Sequence, residues 1–409
     1  MPLAESGMID TLLRMARRRN ESAVSAESAR AATSETGKIP VRRREALFSD
    51  FNAILALRER WGLSQDSPEN WRRLWRDNPA LSLGAANFPI GWVQEANDTI
   101  VGYLGSIPLL YQYGDQKVLA AATTSYAVDP AYRSRSLGMV GAFFRQPGCD
   151  LYLDTTATPA AGKIVQAFKA ERLPQQDYGT VLFWVLDPQD FLHSVAKKLQ
   201  LSPRLASILA TLGSAALHGD ILLRKRRPAS RPGRLSCREL RVEEIGDDFQ
   251  SLWLRKVHER PRLMAWRTPE ILHWHFLIPH SKSSPQVLAC YDGKTLAGYA
   301  IVLTTSVRDL GLKKSSVADV FVADDKPEVI SELLAGAYEL AKKNLSDVLE
   351  IMGFPESVRS ICRASKPYSR RYPACPYFYK TDNIALRNVL VNQDCWYACP
   401  YDGDATLHA

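Results

Sequence analysis

No two of the seven cysteines, Cys149, Cys237, Cys290, Cys362, Cys375, Cys395 and Cys399, stand in a CxxC pair. An odd, scattered set in a long chain excludes a disulfide framework and reads as reduced thiols, so a cytoplasmic protein is expected. Cys395-x-x-x-Cys399 lacks a second pair at zinc spacing, and His258, His273, His275 and His280 form no ligand set, so no metal is expected. No apolar run approaches the roughly 20 residues of a membrane span. The start does not have the form of a signal peptide either. Residues 8–15 carry Asp10 and Arg14, and no small-residue cleavage site follows a long apolar core. Neither sign of charge dominates: 52 Lys and Arg face 44 Asp and Glu, a formal net charge of +8 with a pI near 9.0. That mild excess suits an acidic partner without choosing one.

What is present is a soluble, globular composition, 46% apolar and 23% charged, in 409 residues. This is too long for one ordinary core and predicts two domains with connectors. Residues 1–36 hold a short amphipathic piece with Arg14, Arg17, Arg18 and Arg19, then a Ser/Ala/Glu run. Too little apolar surface is there to offset the entropy of ordering, so a mobile basic tail is expected, with peripheral contact to an anionic membrane as the alternative. No specific nucleic-acid partner is expected.

Residues 37–197 predict a domain in the order β-α-α-β-β-β-α-β-α-β. Strands are expected at 38–42, 90–95, 100–113, 120–128, 150–156 and 179–186, the last closing the sheet. Helices are expected at 48–61, 68–76, from about Ser136, and 160–169. Ser67-Pro68-Glu69 supplies an N-cap, a Pro at the first helical position and an acidic first turn. Asn97-Asp98 is a hairpin turn. Residues 198–234 predict a helix at 203–223, whose apolar core, 205–217, is too short to span a bilayer. Arg224-Lys225-Arg226-Arg227-Pro228 follows, either a plain basic linker or a patch for a membrane surface or acidic partner.

Residues 235–409 repeat the first domain. Trp274 stands on a helix where the first half has Trp75, and both halves carry a hairpin ending in Gly-Tyr, at Gly102-Tyr103 and Gly298-Tyr299. A period of about 200 residues indicates a duplicated domain rather than a solenoid. After the strand at 316–322, Ala323-Asp324-Asp325-Lys326-Pro327-Glu328 has no glycine and is acidic.

Between the strand ending at Val128 and the following helix, Val128-x-Pro130-x-Tyr132-Arg133-Ser134-Arg135-Ser136-Leu137-Gly138 resembles the acyl-CoA loop of the GNAT N-acyltransferase superfamily. Backbone N–H groups at a strand-to-helix turn, with Arg133 and Arg135 beside them, suit a phosphate. The resemblance implies an α+β chain of two tandem GNAT-like domains, each a mixed, mostly antiparallel twisted sheet flanked by helices, the second copy degenerate. The tail, Asp394-Cys395-Trp396-Tyr397 with Tyr401-Asp402-Gly403-Asp404, is similar to that of tandem GNAT proteins.

The implied co-substrate is acetyl-CoA or another acyl-CoA. Arg133, Ser134, Arg135, Ser136, Leu137, Gly138 and Met139 would hold its diphosphate, and the strand edge Ser125, Tyr126, Ala127 and Val128 its pantetheine arm. The implied reaction is direct attack of an amine on the thioester. One N–H of that edge would stabilise the oxyanion, and Glu95 or Asp154 would take the proton of the amine. Two positions depart from the family pattern: Ser136 replaces its first glycine, and Phe168 stands where a proton-donating Tyr is common. Tyr126 or Tyr178 could supply that proton, or the thiolate leaves into solvent. Trp61, Trp71, Trp75 and Trp92 line an apolar acceptor cleft or belong to the core. The acceptor is a small-molecule or peptide amine, and the second copy shapes the acceptor cleft or a homodimer interface. The alternatives are an aminoacyl-tRNA-dependent transferase of the Fem type and a non-catalytic acyl-CoA-binding scaffold.

Overall fold

The computed structural model describes residues 40–63, 66–85, 87–230, 233–281, 283–372 and 376–408. The tail 1–36 and Cys375 lie outside them. The first half supplies strands β1 (Arg42–Glu45), β2 (Gly91–Ala96), β3 (Thr99–Tyr113), β4 (Gln116–Val128), β5 (Leu151–Asp154), β6 (Glu171–Arg172) and β7 (Thr180–Val185). The second supplies β8 (Leu235–Leu240), β9 (Met264–Ala265), β10 (Ser284–Asp292), β11 (Thr295–Val307), β12 (Leu312–Val322), β13 (Val348–Met352), β14 (Tyr368–Arg371) and β15 (Phe378–Lys380). Helices α1 (Phe51–Arg60), α2 (Pro68–Trp75), α3 (Leu137–Phe143), α4 (Pro159–Ala167), α5 (Pro188–Lys198) and α6 (Pro203–Leu223) precede the repeat. Within it lie α7 (Asp247–Val257), α8 (Pro269–Phe276), α9 (Pro327–Lys343), α10 (Glu356–Ala364) and α11 (Ile384–Leu390).

The local signals act as their chemistry dictates. Asn97 and Asp98 both adopt positive φ, 49° and 57°, as the tight turn between β2 and β3 requires. Ser67 Oγ accepts from the Asn70 amide at 3.1 Å and starts α2. One turn apart on α2, Trp71 and Trp75 are buried, and Trp75 donates to the Ser106 carbonyl at 2.7 Å. Both belong to the core rather than to a cleft.

Two mixed sheets result. The eight-stranded one runs β1-β2-β3-β4-β5-β15-β6, with β9 added to β3; the seven-stranded one runs β14-β7-β13-β12-β11-β10-β8. Among the described residues each has a single parallel strand pair, β4 with β5 and β12 with β13, and the other strand pairs are antiparallel. The sheets do not follow chain order. β7, expected to close the first sheet, pairs with β13 in the second, and β15 pairs with β5 in the first. The apolar run of β7 is buried on both faces, so its pattern fits any interior position and cannot name its neighbour.

The last residues are tied down from several sides. Arg267, fully buried, donates to Asp319 at 2.9 Å and 3.1 Å, to the Ala265 carbonyl at 2.8 Å and to Asp402 at 3.3 Å. Tyr299 donates to Asp319 at 2.9 Å, and Tyr111 donates to the Asp402 carbonyl. Arg73 on α2 donates to the Trp274 carbonyl at 2.6 Å and to the Leu407 carbonyl at 2.7 Å. The bonds of Arg73 and Tyr111 join the two halves of the chain, and that of Arg267 to Asp402 fixes its end.

Helix α6 has the bounds expected from the sequence, 203–223, but its apolar character extends further than the expected core of 205–217. It runs 21 residues and is long and apolar enough, by length and composition, to cross a membrane. The helix continues past the polar His218-Gly219-Asp220 step to Leu222-Leu223, which the shorter apolar core did not include.

Removing Arg267 would strand two buried carboxylates. Arg267→Met is expected to lower unfolding free energy by about 3–5 kcal/mol in denaturant titration. Arg234→Ala, whose partner Asp292 lies 2.9 Å away at the exposed surface, should change it by less than about 1 kcal/mol.

Candidate active site

Strands β4 and β5 pair in parallel only at Ala120–Leu151, Ala121–Tyr152 and Ala122–Leu153. Beyond Ala122 they part. A cavity of about 290 Å³ fills the opening, walled by Thr123, Thr124, Ser125 and Tyr126 on one side and by Asp154 and 156–158 on the other. Leu104, Val140, Phe143, Ala161, Ile164 and Val165 make its apolar lining. A bulge shapes the β4 edge: Ser125 and Tyr126 together oppose Leu104, and Ser125 has φ 54°. A bulge breaks the regular ladder and re-aims the residues after it.

The loop expected to bind diphosphate joins β4 to α3; Tyr126 before it and Val140 after it line the cavity, whereas none of 129–139 does. Pro130–Arg135 is a 3-10 turn leading through Ser136 into α3. The first amides of a helix have no intrahelical carbonyl to meet, which leaves those of Leu137, Gly138 and Met139 dependent on other acceptors; Met139 uses the Ser136 carbonyl at 2.9 Å. Around the loop Arg43 donates to the Gly138 carbonyl at 2.8 Å, Gln94 to the Arg135 carbonyl at 2.7 Å, and the Arg133 guanidinium lies 4.8 Å from the Trp61 ring. Arg60 pairs with Asp129 at 2.9 Å. Ser136 fits without strain. It is buried, donates to the Arg133 carbonyl at 2.7 Å and accepts from the Tyr126 hydroxyl at 2.7 Å. The serine thus fastens the loop internally where a glycine would leave room.

Three sequence candidates need revision. Glu95 does not line the cavity; its carboxylate accepts from Arg44 Nε at 2.9 Å, and Arg44 also grips Asp50. Turned to Arg44 and away from the cavity, Glu95 has a structural part. Tyr178 is buried in the core beside Tyr377, with its hydroxyl 3.4 Å from the Cys399 carbonyl. It cannot reach the opening. Tyr126 does line the cavity, but its proton is directed at Ser136. Burial raises its pKa, against the Ser136 hydrogen bond and the Arg133 charge. Phe168 stacks on Phe144 at 5.8 Å.

Asp154 is placed as expected, and its neighbours were missed. Its small accessible surface faces the cavity. Enclosure by protein pushes its pKa up to about 7, helped by the charge of Asp404 and opposed by hydrogen bonds from the Thr156 amide and the Thr123 hydroxyl. Asp404 comes from the far end of the chain. Its Oδ1 accepts from Thr155 at 3.1 Å and Thr156 at 2.9 Å, and burial raises its pKa against the nearby His408 and these hydroxyls. His408 Nε2 is 3.0 Å from Thr124 Oγ1, and Nδ1 is 3.6 Å from Asp66 Oδ2. Burial would raise Asp66, but His408, Asn70 and Arg58 outweigh it and hold its pKa at about 2. A glycine makes this approach feasible. A Cβ on Gly403 would stand 2.0 Å from Thr155 Oγ1. The sequence signal for these residues was the Asp402-Gly403-Asp404 step, whose position in space only the fold supplies.

The second copy is closed at the corresponding place. After β12, Asp325 adopts φ 49° and pairs with Arg262 at 2.8 Å and Lys256 at 2.5 Å. The protein's own carboxylate therefore satisfies the cations there. Between β12 and β13, Val317, Ile351 and the side chains of α9 and α10 leave about 10 Å³. Among the described residues, no group of three or more His, Cys, Asp or Glu side chains is placed to hold a metal ion.

Carbon-detected NMR titration checks the carboxylate pair. Asp154, assigned by its loss in Asp154→Asn, should titrate near pH 7. In Asp404→Asn its midpoint should fall, because a like charge has been removed. A wild-type midpoint in the ordinary carboxylate range would contradict the enclosure described.

No protein-family model matches the sequence, nor does any curated relative. Among solved structures, the chain is similar to a GCN5-related N-acetyltransferase from Anabaena variabilis ATCC 29413, with a TM-score of 0.52 and 12% identity over 84% of this chain and 74% of that one. It is also similar to a conserved protein of unknown function from Enterococcus faecalis V583, titled a probable N-acyltransferase, with a TM-score of 0.53 and 8% identity over 84% and 73%. At these identities the likeness is one of fold: the chain has the GNAT fold, its two mixed sheets flanked by helices corresponding to two GNAT-like domains.

Proposed function

We propose that the chain is an N-acyltransferase that moves an acyl group from acyl-CoA, most simply acetyl-CoA, to an amine. The observation that carries this reading is the parting of β4 from β5 after Ala122–Leu153, with Asp154 lining the cavity so opened and a basic loop following the β4 edge in the chain. The diphosphate would lie against the amides of Leu137 and Gly138 and the Arg133 and Arg135 guanidiniums. The pantetheine arm would extend along Ser125 to Val128 as an added strand, and the thioester would reach the level of Thr123 and Asp154.

There the amine nitrogen attacks the carbonyl carbon. Negative charge gathers on the oxygen, where a backbone N–H at the Ser125–Tyr126 bulge stabilises it. The C–S bond then breaks and the thiolate leaves. Asp154 takes the proton shed by the amine. A carboxylate with a pKa of about 7 suits that work better than an ordinary one, because proton transfer is most effective when the base's pKa lies near the working pH. Asp404 contributes by keeping that pKa high. Phe168 has no proton to give and Tyr126 directs its own at Ser136, so the thiolate is protonated by solvent. The acceptor is a small molecule or peptide that delivers an unhindered amine into the cavity beside Asp154. The closed opening of the second copy gives it a structural part, with its C-terminal segment completing the cleft.

Calorimetry with acetyl-CoA and longer acyl-CoAs tests the binding half. Saturable binding is expected, weakened about tenfold in Arg133→Glu; no heat with any chain length would contradict the proposal. For the chemistry, kcat/KM with a responsive amine should rise with pH through about 7, because Asp154 acts only as the anion. Asp154→Asn should lower kcat by about 10²–10⁴-fold and remove that ionisation. A retained pH limb in the variant would assign the base elsewhere.

A further inference from the structure

Helix α6 carries two apolar stripes, and only one is covered. Ala210, Gly213 and Leu217, spaced i, i+3 and i+7, are buried. Gly213 lets α5 approach closely: a Cβ there would lie 3.0 Å from Leu192 Cδ1. Leu217 and Leu192 join Phe183, Val185 and Val348 in one core cluster. The opposite stripe faces solvent. Leu205, Ile208 and Leu212 are 55%, 55% and 70% exposed, and Leu222 and Leu223 61% and 86%. The positions 205, 208, 212, 222 and 223 fall on one side of a helix, with the exposed small residues Ala215 and Ala216 between them. At 1.5 Å per residue the stripe is about 27 Å long. A lone exposed leucine needs no explanation, but a continuous ridge of this length does.

The charges at its ends say what it faces. Arg204 stands at the start, with Lys197 and Lys198 at the end of α5 just before it. Arg224, Lys225 and Arg227 stand at the finish. Arg226 anchors this basic turn, donating to the Lys366 carbonyl at 2.8 Å and lying 4.4 Å from the Tyr368 ring, so exposed Lys366 joins the group. Asp220, the acidic residue within the helix, is already committed to Arg224 at 2.7 Å and Arg226 at 2.6 Å.

We propose that this face docks on an anionic phospholipid surface. Helix α6 lies in the plane of the interface, its leucine ridge in the acyl boundary, and Arg204, Lys225, Arg227 and Lys366 meet lipid phosphates. A bilayer surface supplies both things the face presents itself to: apolar depth along a line and anions at either end. A second copy of the chain supplies neither well. With cations at both ends, pairing two α6 helices in either direction sets like charges together. Crossing the membrane would strip the Ala210–Gly213–Leu217 stripe from α5 and draw the Asp220 cluster into hydrocarbon. The inference does not depend on acyl transfer.

Flotation of the full chain with phosphatidylcholine vesicles, with and without phosphatidylserine, tests it. The protein should float with the phosphatidylserine vesicles alone and be released by high salt. L212E/L223E should abolish flotation, and K225E/R227E should lower the partition coefficient by about tenfold or more. These sites are exposed, so both variants should keep the wild-type melting temperature and acyl-CoA binding, which separates lost docking from lost folding. Four results would overturn the proposal. They are no flotation of the wild type, flotation that resists both high salt and carbonate, flotation unchanged in L212E/L223E, and a concentration-dependent dimer in sedimentation that L212E abolishes.

Discussion

The loss of pairing between β4 and β5 after three residue pairs is the constraint from which the rest follows. Parallel strands that part inside a sheet leave backbone donors and acceptors without a ladder partner. Such groups are costly to bury unless something else meets them. Here the Thr123 and Thr124 side chains turn toward carboxylates, the Ser125–Tyr126 bulge breaks the regular spacing, and an open cavity remains between the edges. An extended chain with amide groups of its own answers such an edge as an added strand would. The second sheet shows the other solution. Apolar side chains from α9 and α10 close the corresponding gap, and Asp325 takes up the cations beside the following turn.

What keeps the first opening in shape comes from the other end of the chain. Arg267, with Asp319 and Asp402, fixes the turn before Gly403. Gly403 then lets the backbone pass against Thr155, and Asp404 and His408 arrive beside Asp154. The exchange of β7 and β15 makes the same point at the level of the sheets. Neither half is complete without the other, although each sheet has the same mixed layout with one parallel strand pair. The electrostatics of the site therefore depend on a contact between sequence-distant segments: Asp154 is raised first because protein encloses it, and Asp404 adds to that.

Much of this was legible in the sequence because local chemistry and tertiary structure agree. The turn at Asn97-Asp98, the Ser67 cap, the strand-to-helix loop at 128–138 and the placement of Asp154 each rest on residues whose local preference matches the fold. The failures share a different cause. A run buried on both faces, such as β7, has no period that names its neighbour. Glu95 and Tyr178 have the right chemistry on the expected elements, but a guanidinium and a core contact claim them. Asp404 carries only the Asp402-Gly403-Asp404 step as a local mark and His408 none, since they become site residues only when the C-terminus folds back into the first sheet. For α6 the helix itself was legible over 203–223, but its apolar core reads as too short because the polar step at 218–220 hides the apolar residues beyond it, Leu222 and Leu223.

The central claim is that the β4 edge and the turn after it form one receptor for an extended diphosphate-bearing chain. Amide hydrogen exchange with and without acetyl-CoA addresses it residue by residue. The account predicts slowed exchange confined to 125–128 and 136–139, with no change in the turn at 323–326 that follows β12. Saturable binding accompanied by unchanged exchange in both of those first segments, or by protection at 323–326 instead, would contradict it.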